Sequence, residues 1–264
     1  MAFEQLKERQ SYVWGNGHFE RISETGTAAY DDLVGSLVPR AGERWLDVAC
    51  GTGAIALRAA RSGAEVTGID LAPALVETAK RLAKEEGLEV ALEVGDAENM
   101  AFEDGSFDVV SSSFGVMFCP DERRVAAELA RVVKSGGRLG LLTWLPESGV
   151  GKLFATMVPF QPPLPEGAAR PIDWGREQHV RGLLGDAFEL DVHEGDVPYD
   201  ADSGEEAWEL FSTSFGPVKT LWETLESPRR EEFRQAFIDF HEGFRENGGI
   251  HMERKYLVTV GTRR

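Results

Sequence analysis

The sequence predicts a doubly wound α/β fold built on a mostly parallel sheet of seven strands. Three observations point there. Between residues 43 and 145, short β-branched runs alternate with helical patterns, as repeated βαβ units require. The first run ends in a glycine-bearing turn that leads straight into an Ala/Leu-rich helix. Finally, 264 residues with 42% hydrophobic side chains are enough to bury one large core.

Each element follows from its local pattern. RWLDVA (44–49) is the first strand, and AIALRAARSG is a helix closed by Gly63. AEVTGID (64–70) is the second strand, followed by a helix over 73–86 with Pro73 in its tolerant first turn. The third strand lies at 88–94 and the fourth at 106–112 (SFDVVSS). Asp121 can cap a helix through Val133, which Gly136 and Gly137 terminate before a fifth strand at 138–144. Beyond Pro146 the alternation breaks. QPPLPEGAARP is a proline-rich loop, 176–184 is helical, and 187–197 is a strand. Residues 204–245 are helical with interruptions at Gly216-Pro217 and Pro228, and KYLVTVG (255–261) is the seventh strand. Residues 1–42 are expected to form an N-terminal helical cap on a main domain of 43–264, with excursions at 147–172 and 203–248 acting as a lid.

Composition narrows the partners. With 28 Lys+Arg against 45 Asp+Glu, the formal charge of −17 opposes binding to nucleic-acid phosphates or to anionic lipid. No run of ~18 apolar residues is present to span a bilayer. The opening MAFEQLKERQ is polar, unlike a secretory leader. Cys50 and Cys119 make neither a disulfide framework nor a metal-ligand pattern. A cytoplasmic setting is therefore expected, and the oligomeric state is not legible.

LDVACGTG (46–53) combines a strand, a turn with glycines at Gly51 and Gly53, and a helix start. Glycine lets a ligand lie against the main chain at the helix N-terminus, where doubly wound sheets bind nucleotide-like molecules. Two ligand classes compete. Residues 51–56 fit the dinucleotide pattern G-x-G-x-x-[GA], with Asp70 near the expected downstream position, which would make the chain an NAD(P)-dependent oxidoreductase. Against that stands Asp47, a carboxylate four residues before Gly51 that would repel a pyrophosphate.

LDVACGTG, VTGIDLAP (66–73), EVGDAENMAFEDGSFDVV (93–110) and ELARVVKSGGRL (128–139) resemble, in order and spacing, the motifs of class I S-adenosylmethionine-dependent methyltransferases. The likeness is greatest to the ubiquinone/menaquinone-biosynthesis branch and covers residues 43–145. Ala49 stands where the first motif glycine is commonest, and Cys50 replaces a frequent Gly or Ser. The resemblance implies a Rossmann-like fold, S-adenosylmethionine as cofactor and methyl transfer to a small-molecule acceptor. It implies that Asp47, Ala49, Gly51 and Gly53 line the methionine portion. Asp70, with Leu71 beside it, would accept both ribose hydroxyls. Asp96 would accept from the adenine amino group, with Ala97 and Glu98 beside the ring. Ser112 and Ser113 would lie near the methionine amine and the reacting methyl. Tyr12 and Trp14 sit in the N-terminal segment that family members often fold over the cofactor. A cofactor-binding protein without turnover would carry the same motif and is a further alternative.

Methyl transfer from a sulfonium is an in-line displacement at carbon, and it needs a base only when the acceptor arrives protonated. Phe114, after the fourth strand, is expected to line the acceptor pocket, whereas Met117 and Phe118 suit core packing equally well. The candidate bases are His18, in YVWGNGHFERI, and His241, in AFIDFHEGF beside Phe237, Phe240 and Phe244. No metal is expected, because DVPYDADSGEE misses the calcium-loop spacing and reads as a solvated loop. A nucleic-acid acceptor is further disfavoured because SSSFG, and no Asn/Asp-Pro-Pro-Tyr/Phe motif, follows the fourth strand. Residues 147–250 carry 9 basic and 21 acidic side chains, which read most simply as a solvated face; read instead as an acidic lid, they would favour neutral or cationic acceptors.

Overall fold

The computed structural model describes residues 3–264, so the first two residues of the N-terminal segment lie outside the described residues. Three helices come first: α1 (Glu4–Gly15), α2 (Phe19–Glu24) and α3 (Thr27–Leu37). Strands and helices then alternate through β1 (Arg44–Val48), α4 (Ala54–Arg61), β2 (Glu65–Asp70), α5 (Pro73–Glu85) and β3 (Val90–Val94). The chain continues through β4 (Phe107–Ser113), α6 (Glu122–Val132), β5 (Val133–Trp144), α7 (Gly149–Met157), α8 (Glu177–Leu184) and β6 (Phe188–Asp196). Last come β7 (Tyr199–Ala201), α9 (Gly204–Ser214), α10 (Gly216–Thr224), α11 (Arg229–Glu242), β8 (Arg245–Glu246), β9 (Gly249–Met252) and β10 (Lys255–Arg263).

Seven strands form one sheet in the order β3-β2-β1-β4-β5-β10-β6. The first five are parallel, and β10 runs antiparallel between β5 and β6. This is the expected Rossmann-like, mostly parallel sheet. Helices cover both faces, which is why the central strands read as apolar runs. Leu46, Val110 and Leu141 pack with α6 and α8 on one side. Their strand neighbours Trp45, Val109 and Leu142 pack with α3 and α4 on the other. Strand order reverses between β1 and β4, so the loops after these two strands diverge and leave a crevice.

A third core lies outside this sheet. Trp208 and Phe211 of α9, Phe233 and Phe237 of α11, and Leu153 and Met157 of α7 bury one another beside Phe215. A three-stranded sheet, β7-β9-β8, flanks it.

Two local expectations are corrected. Helix α6 ends at Val132, before Gly136 and Gly137, because Val133 is already extended and pairs with Phe107. The two glycines instead serve a register shift within β5: Gly136 takes φ +75°, and a Cβ on Gly137 would press on the Lys134 and Asp108 carbonyls. Nor is 196–206 a simple solvated loop. Its centre is β7, paired with β9, and Ser203 caps α9 by accepting from the Glu206 N–H at 3.2 Å.

Candidate active site

The glycine turn after β1 is held by carboxylates. Gly51 and Gly53 take φ of +55° and +89°, which glycine adopts without strain. A Cβ on Gly51 would point towards the Phe19 ring, 3.8 Å away across the crevice, so the main chain there is open to close approach. Ala49 takes φ +52°, a conformation costing an alanine about 1–2 kcal/mol. Its Cβ abuts Gly115 so closely that a side chain at 115 could not fit.

Asp70, ending β2, accepts from the Gly51 N–H and the Ala72 N–H, each at 2.8 Å. Burial raises its pKa against the lowering effect of those two bonds. Asp96 accepts from the Glu98 N–H at 2.9 Å and from the Lys7 ammonium at 2.8 Å. Lys7 also pairs with Glu98, whose other oxygen accepts from the Asp121 N–H at 2.8 Å. Burial alone would depress the Lys7 ammonium, but its bonds to Asp96 and Glu98 outweigh that and raise its pKa.

A single cavity opens over this turn. Its polar end is lined by Ala49, Gly51, Asp70, Leu71, Asp96, Ala97, Glu98 and Ser113, all expected from the sequence. Its other end is apolar, walled by Trp14, Phe19, Tyr30, Phe114, Phe118, Trp144, Phe154, Phe211 and Phe215. Phe114, itself at φ +57°, stacks on Trp144 with ring centroids 3.7 Å apart. Trp14 meets Phe118 edge-on at 4.7 Å. Met117 is core and Phe118 is wall, which resolves that pair.

Several expected residues lie elsewhere. Asp47 does not line the cavity. It is buried beneath the turn, where it accepts from Ser111 Oγ at 2.9 Å and from the Ala56 N–H at 3.1 Å. Full burial pushes its pKa up to about 7, despite those bonds. Gly53 faces Leu57 and Ala79, and Ser112 is buried with its Oγ accepting from the Val116 N–H at 3.2 Å. Tyr12 is 63% exposed on the outer face of α1.

Neither candidate base lines the cavity. The His18 side chain is 70% exposed, with only Glu20 nearby at 3.8 Å. His241 is fully buried in the third core; its Nδ1–H donates to the Phe237 carbonyl at 2.9 Å and its Nε2 has no hydrogen-bond partner among the described residues. Desolvation lowers its pKa to about 4, so it stays neutral as an aromatic packing element. The acidic side chains of residues 147–250 do not line the cavity. From residues 147–250 the cavity receives only Val150, Leu153, Phe154, Phe211 and Phe215.

Sequence reasoning missed Lys7, Gln10 and Ser11, which with Trp14 form one face of α1 at helical spacing. Gln10 Nε2 donates to the Phe118 carbonyl at 2.8 Å and Ser11 Oγ to the Leu71 carbonyl at 2.9 Å, so α1 is stitched across the crevice. The polar stripe 7-10-11-14 was the available signal. Among the described residues, no cluster of His, Cys, Asp or Glu could hold a metal ion, and no helix is long and apolar enough to cross a membrane.

Comparison with known proteins defines the class. The family described as Methyltransferase domain matches residues 46–141. Aklanonic acid methyltransferase DauC of Streptomyces sp. is 37% identical over 180 residues, 65% of this chain and 80% of that protein. The chain belongs to the S-adenosylmethionine-dependent methyltransferases. An uncharacterized protein of Mycobacterium tuberculosis is 37% identical over 216 residues, covering 81% of this chain and 79% of its own. Among solved structures, the YcgJ protein of Bacillus subtilis shares the fold with a TM-score of 0.64 at 22% identity, over 90% of this chain and 98% of that one. Membership decides between the two readings of the glycine turn in favour of the methyl donor.

The residues present fit that cofactor: open main chain at Gly51, a carboxylate at the end of β2 and another at Asp96. When bound, S-adenosylmethionine supplies an electrophilic methyl group on sulfur.

Proposed function

We propose that the protein methylates a small molecule with a flat, apolar body, held in the aromatic end of the cavity. The observation that carries this reading is the continuity of the two ends. Gly51, Asp70 and Asp96 line the same space as Phe114, Trp144 and Phe154. Asp70 would hold the ribose, Asp96 the adenine, and Ser113 the region between the two ends.

Besides Phe114, Phe118 and Trp144 from the sheet region, the walls of the acceptor end come from three separated stretches, and this supports reading those as a cap and a lid. Trp14, Phe19 and Tyr30 come from residues 1–42, Val150 and Phe154 from 147–172, and Phe211 and Phe215 from 203–248. Closing rings around the acceptor excludes water and fixes its approach, and such positioning can lower a barrier by ~7–11 kcal/mol. We assign no histidine as base. Turnover then rests on alignment, and the name of the Streptomyces relative, an aklanonic acid methyltransferase, agrees with a small-molecule acceptor.

The test is methyl transfer from labelled S-adenosylmethionine across a panel of aromatic and aliphatic metabolites. Turnover confined to flat aromatic acceptors supports the reading. Transfer only to small hydrophilic compounds, or to protein or nucleic acid, would overturn it.

A further inference from the structure

One charged side chain in the acceptor half has no carboxylate within salt-bridge distance among the described residues. Arg254, immediately before β10, is 5% exposed and lines the cavity, as do Tyr30, Phe114 and Met252. Its Nε donates to the Val197 carbonyl at 2.8 Å, and its Nη2 to the carbonyls of Thr25 and, at 3.2 Å, Pro198. Its Nη1 donates to Thr25 Oγ1 at 2.9 Å. A guanidinium has five N–H groups, so these four acceptors leave one N–H on Nη1 without a partner among the described residues. The ring of Tyr199 lies 5.5 Å from the guanidinium carbon.

Every acceptor just named is neutral. The nearby Asp196 is occupied by the Arg254 backbone N–H at 2.9 Å, and it and Asp200 act on the guanidinium only from a distance. A buried cation surrounded by neutral dipoles is costly unless an anion completes it. The carboxylates that do line the cavity stand at its cofactor end, where Lys7 already neutralises Asp96 and Glu98. The cross-link from Thr25 to Val197 and Pro198 explains four of the bonds but not why a residue that carries a charge and a spare donor lines the cavity.

We propose that the acceptor is an organic acid, ionised at neutral pH, and that the spare N–H of Arg254 receives its negative oxygen. The proposal rests on reading this cavity as the methyl-transfer site and names the substrate class within it. It also suits a cavity without histidine, because an acceptor that arrives ionised can dispense with a base. Arg254 is then a specificity residue, and the net acidity of residues 147–250 stays on the outside of the molecule.

Calorimetry on the full chain tests this. S-adenosylhomocysteine is titrated first, and the saturated protein is then titrated with 2-naphthoate, anthracene-2-carboxylate and the two matching carboxamides. At least one acid is expected to bind about tenfold or more tightly than its amide, as a charge-assisted hydrogen bond implies. Arg254→Gln should erase the preference while leaving S-adenosylhomocysteine affinity within about twofold, and Arg254→Lys should retain part of it. Equal binding of acid and amide, no binding by either acid, or an undiminished preference in Arg254→Gln overturns the proposal. If that variant does not fold, the unmodified protein's acid-to-amide ratio decides alone. Failure to bind S-adenosylhomocysteine at all would instead strike the methyltransferase reading beneath it.

Discussion

At one end of the cavity the chain offers main chain and carboxylates, at Gly51, Asp70 and Asp96. At the other it offers the rings of Phe114, Trp144, Phe154 and Phe215 with one guanidinium. The polar end is assembled at the C-terminal ends of β1, β2, β3 and β4. The aromatic end adds to Phe114 and Trp144, at the ends of β4 and β5, walls from α1, the α2–α3 region, α7, α9 and the approach to β10, segments far apart in the chain. A cofactor shared by a whole family is met by contiguous motifs on the sheet. An acceptor particular to one protein is met by whatever the covering helices bring together.

The sharpest way to break this division is to attack the polar end alone. Asp70→Ala removes the proposed ribose contacts, at about 1.5–3 kcal/mol for each of two charge-assisted bonds, and also frees the Gly51 and Ala72 N–H groups. S-adenosylhomocysteine affinity should fall about a hundredfold or more by calorimetry. A loss below threefold would remove Asp70 from the cofactor's recognition.

The aromatic layer beneath the acceptor end responds to pH through His241. Its folded pKa of about 4 lies below the unfolded value near 6.5, so the folded state binds fewer protons between them. The stability due to its neutral form is fully present above about pH 6.5 and is lost as pH falls towards 4, by about 3 kcal/mol. Asp47, raised to about 7, slopes the other way, its contribution falling as pH rises through that value. Urea titrations of the unmodified protein and His241→Phe cancel the Asp47 term in their difference. The variant should lack the acid-side loss and keep its turnover at neutral pH; lost turnover at unchanged stability would restore His241 to the chemistry.

Phe154→Ala trims a half-buried wall residue of the acceptor end. Turnover with an aromatic acceptor should fall about tenfold in kcat/KM, with S-adenosylhomocysteine affinity within twofold, as loss of one packed ring implies. Equal loss of both would merge the two ends into one site. The smallest effect is expected at Ala49→Gly. Relief at φ +52° is offset by the greater freedom of glycine when unfolded, leaving a gain of about 1 kcal/mol or less in denaturant.

Local patterns made the sheet and its turns legible, because each βα unit carries its own strand period, glycine turn and helix face. Asp70, Asp96 and Gly51 followed for the same reason. Asp47 adjoins the turn in sequence but lies beneath it rather than on the cavity wall. Strand alternation puts it on the same face as Trp45, whose indole N–H donates to Ser111 Oγ at 2.8 Å, the hydroxyl that bonds Asp47. Tyr12 likewise falls off the 7-10-11-14 face of α1 that spans the crevice. The aromatic spacing around His241 already signalled a packed helix face. Arg254 had no local signal, because its isolation from carboxylates is a property of the tertiary fold.

The division of the cavity is tested most directly by a crystal structure with S-adenosylhomocysteine bound. The ribose should lie on Asp70, the adenine against Asp96 and Ala97, and the sulfur should face the space bounded by Phe114 and Trp144. A sulfur turned away from those rings, or a ligand seated outside this cavity, would contradict it.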